Sequence, residues 1–201
     1  MYRKLSLCLL VLLLVLGAVS PFSCSALDAE AAPAFSVPPE PADMSGYGLS
    51  ESDPCFVQIS LPQAVEFFRS GGTGLLLFTA DWCPFCQYAV PLLEEALQGG
   101  ETFAYLVDAD AVDHETEAED YAALCDILAA ALEPHPDGSL LDIPEVLAVK
   151  DGQIVGHHYA LLPSFRTPQV RAREEMSPEQ KAELRGCYAA LLPLLAEEAA
   201  D

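Results

Sequence analysis

Trp82-Cys83-Pro84-Phe85-Cys86 constrains this chain more than any other stretch. It follows the apolar run Leu75-Leu76-Leu77-Phe78 and precedes an amphipathic segment, so two thiols separated by two residues fall where a strand hands over to a helix. At a helix start several backbone N–H groups lack intrahelical partners, and a thiolate on Cys83 is stabilised there. Cys83 is therefore the candidate nucleophile. Cys86, one turn further on the same side, can attack a mixed disulfide formed at Cys83 and is the candidate resolving thiol. The pair itself carries two electrons, so the chemistry requires no organic cofactor.

The same spacing is also half of a zinc site. A structural zinc site takes four ligands, and His114, His135, His157 and His158 offer no second close pair except the adjacent histidines. Neighbours on a strand point to opposite faces, so His157 and His158 are expected at a solvated edge rather than on a shared metal. The strand-then-helix context favours redox chemistry, with no metal site assigned.

The motifs around the two cysteines resemble the thioredoxin family, over about residues 55–162. Leu75 to Ala80 is similar to that family's central strand, Asp81-Trp82 to its active-site approach, and Pro91 falls where the family's active-site helix carries a proline. Ile143-Pro144 followed by Glu145-Val146-Leu147-Ala148-Val149 resembles the cis-proline loop and the strand it introduces, and Lys150-Asp151-Gly152-Gln153 the next hairpin turn. The resemblance implies an α/β fold with a central mixed β-sheet flanked by helices on both faces, with an insertion before the cis-proline loop. It also implies that Trp82, Pro84, Phe85, Ile143 and Pro144 support the active site, Ile143 pairing with an extended substrate segment. Pro144 has no N–H, and proline is where a cis bond costs least; an ordinary trans proline opening a strand is the other reading.

Three positions depart from the family pattern. Pro84-Phe85 stands where thioredoxins have Gly-Pro, nearer to the Pro-Tyr of glutaredoxins and the Pro-His of strong disulfide oxidases, so reduction, oxidation and isomerisation all stay open. Leu77 occupies the place of the family's buried aspartate, and proton transfer to Cys86 must then use water or another acid. Glu145 follows the proline, where a charge facing Cys83 would raise its pKa; the side chain can equally point to the other face.

The N-terminus reads as an export signal. Arg3 and Lys4 precede an apolar run from Leu5 to Val19, followed by the small residues around Ser20 to Ala26. Residues 1–26 are expected to be a signal peptide or membrane anchor, with lipidation at Cys24 a further option, and the domain to lie outside the cytoplasm, where disulfides persist. Residues 27–54, rich in Pro, Ala and Glu, read as a flexible tether, and residues 55–201 as the domain. Nine basic against 31 acidic residues give a net charge of −22, which repels phosphates and excludes nucleic-acid binding.

Periodicity supplies the remaining elements. Ser60-x-x-Gln63 and Ser177-x-x-Gln180 are capping boxes opening helices, the active-site helix is expected over about 84–97, and a later helix carries Tyr121, Leu124, Cys125, Leu128 and Leu132 on one stripe. The last helix is expected to bury Leu184, Cys187, Tyr188, Leu191, Leu192 and Leu195, and to bend or end near Pro193. Residues 163–175 read as a loop holding much of the basic charge. The insertion Leu132 to Gly138 either shapes the substrate groove or is a tolerated surface loop. Cys125 and Cys187 are expected as small buried hydrophobes, or in a disulfide with each other or with Cys55.

These readings converge on an exported thiol–disulfide oxidoreductase. Its partners are disulfide- or thiol-containing proteins or peptides and a redox partner whose identity the sequence does not reveal. The chain is also similar to bacteriocin-transport accessory proteins, thioredoxin-like proteins linked to export of disulfide-containing peptides. The alternative is a thioredoxin-fold binding or assembly module in which the Cys83–Cys86 bond is structural.

Overall fold

In the computed structural model, residues 35–36, 40–135 and 138–196 are described. The expected signal segment, Cys24 and the first part of the tether lie outside them, as do Pro136 and Asp137 of the insertion. The elements are β1 (Phe56–Ile59), α1 (Leu61–Arg69), β2 (Gly74–Thr79), α2 (Cys86–Leu97), β3 (Ala104–Asp108), α3 (Ala118–Ala131), β4 (Glu145–Lys150), β5 (Gln153–Tyr159), α4 (Thr167–Ala172) and α5 (Pro178–Ala189). A 3-10 turn precedes them at Ser45–Tyr47 and another follows at Leu192–Leu195.

One five-stranded sheet runs in the order β1-β3-β2-β4-β5. β1, β3 and β2 are parallel, while β4 runs antiparallel to β2 and β5 antiparallel to β4. β2 is thus the central strand, and its unbroken apolar run reflects burial on both faces. Leu75 and Leu77 join a core under α2 and α5, whereas Leu76 and Phe78 join a second core under α1 and α3. This strand order, with helices on both faces, is the thioredoxin-like fold.

Local chemistry fixes the element ends. Ser60 caps α1 by accepting from the Gln63 N–H at 3.4 Å while Gln63 Oε1 accepts from the Ser60 N–H at 2.8 Å, and Ser177 and Gln180 repeat the box on α5. Such caps contribute about 1 kcal/mol each. α5 stops at Ala189 and the chain passes into a 3-10 turn containing Pro193, the expected shortening. Its buried side chains are Leu184 and Tyr188, with Leu191 just beyond; Cys187 is only half-buried.

Several expectations are corrected. Residues 40–54 do not behave as a tether: Pro41 bridges Val57, and Ala42, Met44 and Tyr47 are buried in the α2 core. Residues 163–175 contain α4, opened by Pro168 in its first turn. The stripe on α3 narrows to Leu124 and Leu128, since Tyr121 is exposed and Leu132 has left the helix with extended backbone. α2 begins at Cys86 rather than Pro84, leaving Cys83 in the turn before it.

Candidate active site

α2 starts without a side-chain cap from its N-cap residue, Phe85. The N–H of Cys86 is directed instead at the Cys83 sulfur, 3.4 Å away. The Cys83 thiol lies 3.7 Å from the Ile143 carbonyl oxygen, to which it donates, and the Ile143–Pro144 bond is cis. The cysteine pair and the proline loop are therefore neighbours, although 60 residues separate them in sequence.

Cys83 is held down to about 7, first by the hydrogen bond from the Cys86 thiol and then by the backbone N–H groups of Cys86 and Phe85; burial and the Asp142 carboxylate oppose this. Cys86 moves far the other way, because its proton is shared toward Cys83 and because it is buried. One sulfur is poised to ionise while the other keeps its proton. Cys83 is 3% exposed, less open than a nucleophile read from sequence would be, yet both its neighbours, Trp82 and Pro84, are exposed.

Trp82 separates two hollows beside the pair. A cavity of about 570 Å³ is lined by Trp82, Pro84, Tyr88, Arg173, Met176 and Lys181 among others, and a second of about 210 Å³ by Trp82, Phe78, Tyr121, Leu141, Asp142 and Ile143 among others. The indole N–H donates to Asp110 at 3.1 Å, which fixes the ring between them. Tyr88 donates to the Glu174 carbonyl at 2.8 Å and packs edge-on against Phe165, tying α2 to the segment around α4. Phe85 is partly buried against the α2 core.

Glu145 turns away from Cys83. It shares its face of β4 with Leu147 and Val149, on the α1 and α3 side, and is fully buried. His157 Nδ1 meets one carboxylate oxygen at 2.7 Å and His135 Nε2 the other at 3.0 Å. The insertion is thereby pinned to the strand after Pro144, with His135 also stacked on Tyr159 at 3.8 Å between ring centroids. The solvated-edge expectation holds for His157, which is exposed on the edge strand, but fails for His158, which packs edge-on against Tyr188 and whose pKa is lowered by burial and then by the charge of His157.

Two groupings escaped the sequence reading. Thr79, fully buried at the end of β2, lies with its hydroxyl 3.0 Å from the Tyr47 hydroxyl, and as a donor toward the Cys86 sulfur it opposes the rise in that thiol's pKa. Asp53, Cys55 and Glu94 bring three ligand-type atoms within 4.8 Å of one another. There, Asp53 already accepts from the Cys55 N–H at 2.9 Å and Glu94 from Gln98, and burial followed by the Asp53 charge pushes the Cys55 thiol up to about 11. Cys55, Cys125 and Cys187 are free thiols.

No family model matches the chain, and no curated protein matches it. Among solved structures it is similar to the crystal structure of a wild-type thioredoxin h from poplar, with 20% identity over 59% of this chain and 92% of that one and a TM-score of 0.31.

Proposed function

We propose that this chain is an exported thiol–disulfide oxidoreductase in which Cys83 is the nucleophile and Cys86 the resolving thiol. The observation that carries the reading is the asymmetry of the pair, with Cys83 ionising near 7 beneath the Cys86 N–H and beside the Ile143 carbonyl.

In the reducing direction the Cys83 thiolate attacks one sulfur of a substrate disulfide. A Cys83–substrate S–S bond forms, the substrate bond breaks, and the first substrate sulfur leaves as a thiolate that takes a proton from solvent. Cys86 then attacks the Cys83 sulfur, closing the Cys83–Cys86 disulfide and releasing the second substrate thiolate. Two electrons have passed to the substrate; the reverse sequence oxidises a dithiol. Disulfide-containing proteins or peptides outside the cytoplasm, including exported peptides, are the substrates that the export signal at Arg3 to Ala26 supports.

One observation favours the second reading, a binding module with a structural disulfide: Cys83 is 3% exposed. Insulin reduction by the wild type and by Cys83→Ser, with the potential of the pair measured against glutathione, separates the two. Turnover lost in Cys83→Ser and a potential between about −270 and −120 mV support the oxidoreductase; equal, negligible turnover and a value below about −300 mV overturn it.

A further inference from the structure

An electron pair cannot leave Cys86 as an efficient nucleophile while the proton stays on its sulfur, and Cys86 is fully buried. The strand residue that a buried acid would occupy is Leu77, apolar and sealed in the same core. We propose that Thr79 and Tyr47 form a hydroxyl relay that carries the Cys86 proton out of the core as Cys86 attacks the mixed disulfide. The inference rests on the oxidoreductase reading above.

Thr79 stands two residues beyond Leu77 on β2, on the same face, toward the core that holds Cys86 and Tyr47; its hydroxyl lies 3.0 Å from the Tyr47 hydroxyl, and as a hydrogen-bond donor to the Cys86 sulfur it favours the thiolate. Each hydroxyl can accept one proton while giving up its own. Beyond Tyr47, which is 9% exposed, the charges of the exposed Asp81 and half-buried Asp108 act on the phenol, so the outer end of the relay faces an acidic, solvent-accessible side. The Cys86 proton passes to Thr79 Oγ1, the Thr79 proton to Tyr47, and the Tyr47 proton to a carboxylate or water. Meanwhile the Cys86–Cys83 bond forms and the substrate sulfur leaves with its electron pair.

The turn that presents Tyr47 is clamped in place. Gln87, on α2, donates to the Gly46 carbonyl at 3.0 Å and to the Asp81 carbonyl at 2.5 Å, and Gly46 lies so close that an added Cβ would sit 2.8 Å from that of Asp81. Tyr188 offers the contrast. The charge of Cys86 acts on its phenol too, but among the described residues its buried hydroxyl has no hydrogen-bond partner to hand a proton to.

The test follows the reduced protein reacting with 5,5′-dithiobis(2-nitrobenzoate) by stopped flow. Attack by Cys83 releases one thionitrobenzoate and leaves a mixed disulfide; attack by Cys86 releases the second. Thr79→Val and Tyr47→Phe are expected to slow the second phase about 100-fold, the lower end of proton-transfer contributions, with the first phase changed by less than about twofold. Thr79→Ser restores the second phase and Tyr188→Phe retains it. A second phase unaltered in Tyr47→Phe, not restored by Thr79→Ser, or slowed equally by Tyr188→Phe overturns the relay. Absence of the first phase in the wild type overturns the oxidoreductase reading and the relay with it.

Discussion

The backbone N–H of Cys86 meets the sulfur of Cys83 at 3.4 Å, so the side chain that the helix stabilises is also the one that occupies its open N-terminus. A thiolate there gains from the Cys86 thiol and from two backbone N–H groups at once.

Alkylation by iodoacetamide reads this directly. A thiol lowered from 9.0 to about 7 ionises as pH rises through about 7, so the Cys83 rate in the reduced protein is expected to reach half its plateau there rather than near 9. Cys86, shifted upward, stays unmodified over the same range. Peptide mapping by mass spectrometry distinguishes the two sites; a midpoint near 9, or modification of Cys86 first, contradicts the asymmetry.

Glu145 is fully buried and both its oxygens are taken by histidines, one from the insertion and one from β5. Removing the carboxylate leaves two imidazoles without their shared partner and a void beside β4. Glu145→Ala is expected to lower unfolding free energy by about 3 kcal/mol. His157→Ala, whose side chain is 38% exposed, should cost about 1 kcal/mol, since water replaces much of what is lost. Urea unfolding measures both, and equal losses would show that burial of the pair is not the source.

Much of the site was legible because its signals are local. The apolar run of β2, the paired cysteines, the serine caps at Ser60 and Ser177, and Ile143-Pro144 each announce themselves within a few residues. The surroundings of Glu145 were not, because its partners sit 10 and 12 residues away on elements whose approach only tertiary folding decides. The segment 40–47 was misread for another reason: its polar and proline-containing composition masks Ala42, Met44 and Tyr47, which a 3-10 turn delivers to the core with neither helical nor strand periodicity. Thr79, read as the end of an apolar strand, acquires its meaning only once Tyr47 is folded against it.

The β4–β5 hairpin leaves no room at its turn. Gly152 has φ +73°, and a Cβ added there would lie 2.2 Å from the Phe68 carbonyl oxygen, whose backbone cannot swing away like a side-chain tip. Gly152→Ala combines that overlap with a left-handed conformation unfavourable to L-residues, and is expected to destabilise the protein by about 2–3 kcal/mol. Thermal unfolding checks it: a melting temperature equal to that of the wild type would mean that the turn yields.

Met44 is fully buried and opens the turn that carries Gly46 and Tyr47 to the active-site helix. Its carbonyl accepts from the Tyr47 N–H at 3.0 Å and from the Leu49 N–H at 3.3 Å, and its side chain seats the turn in the core beside Ala42 and Tyr47. Met44→Ala should cost about 2–4 kcal/mol by cavity formation. The loss falls on the turn before it falls on the sheet, because β2 is hydrogen-bonded on both sides by β3 and β4 whereas the turn, beyond the pairing of residues 40–42 with the edge strand β1, depends on Met44, Tyr47 and the Gln87 bond. Cys86, shielded on that side by the turn, is therefore expected to become open to iodoacetamide in Met44→Ala under conditions where the protein as a whole remains folded. Alkylation of Cys86 appearing only together with global unfolding, followed by circular dichroism on the same samples, would show that residues 40–47 do not open separately from the domain.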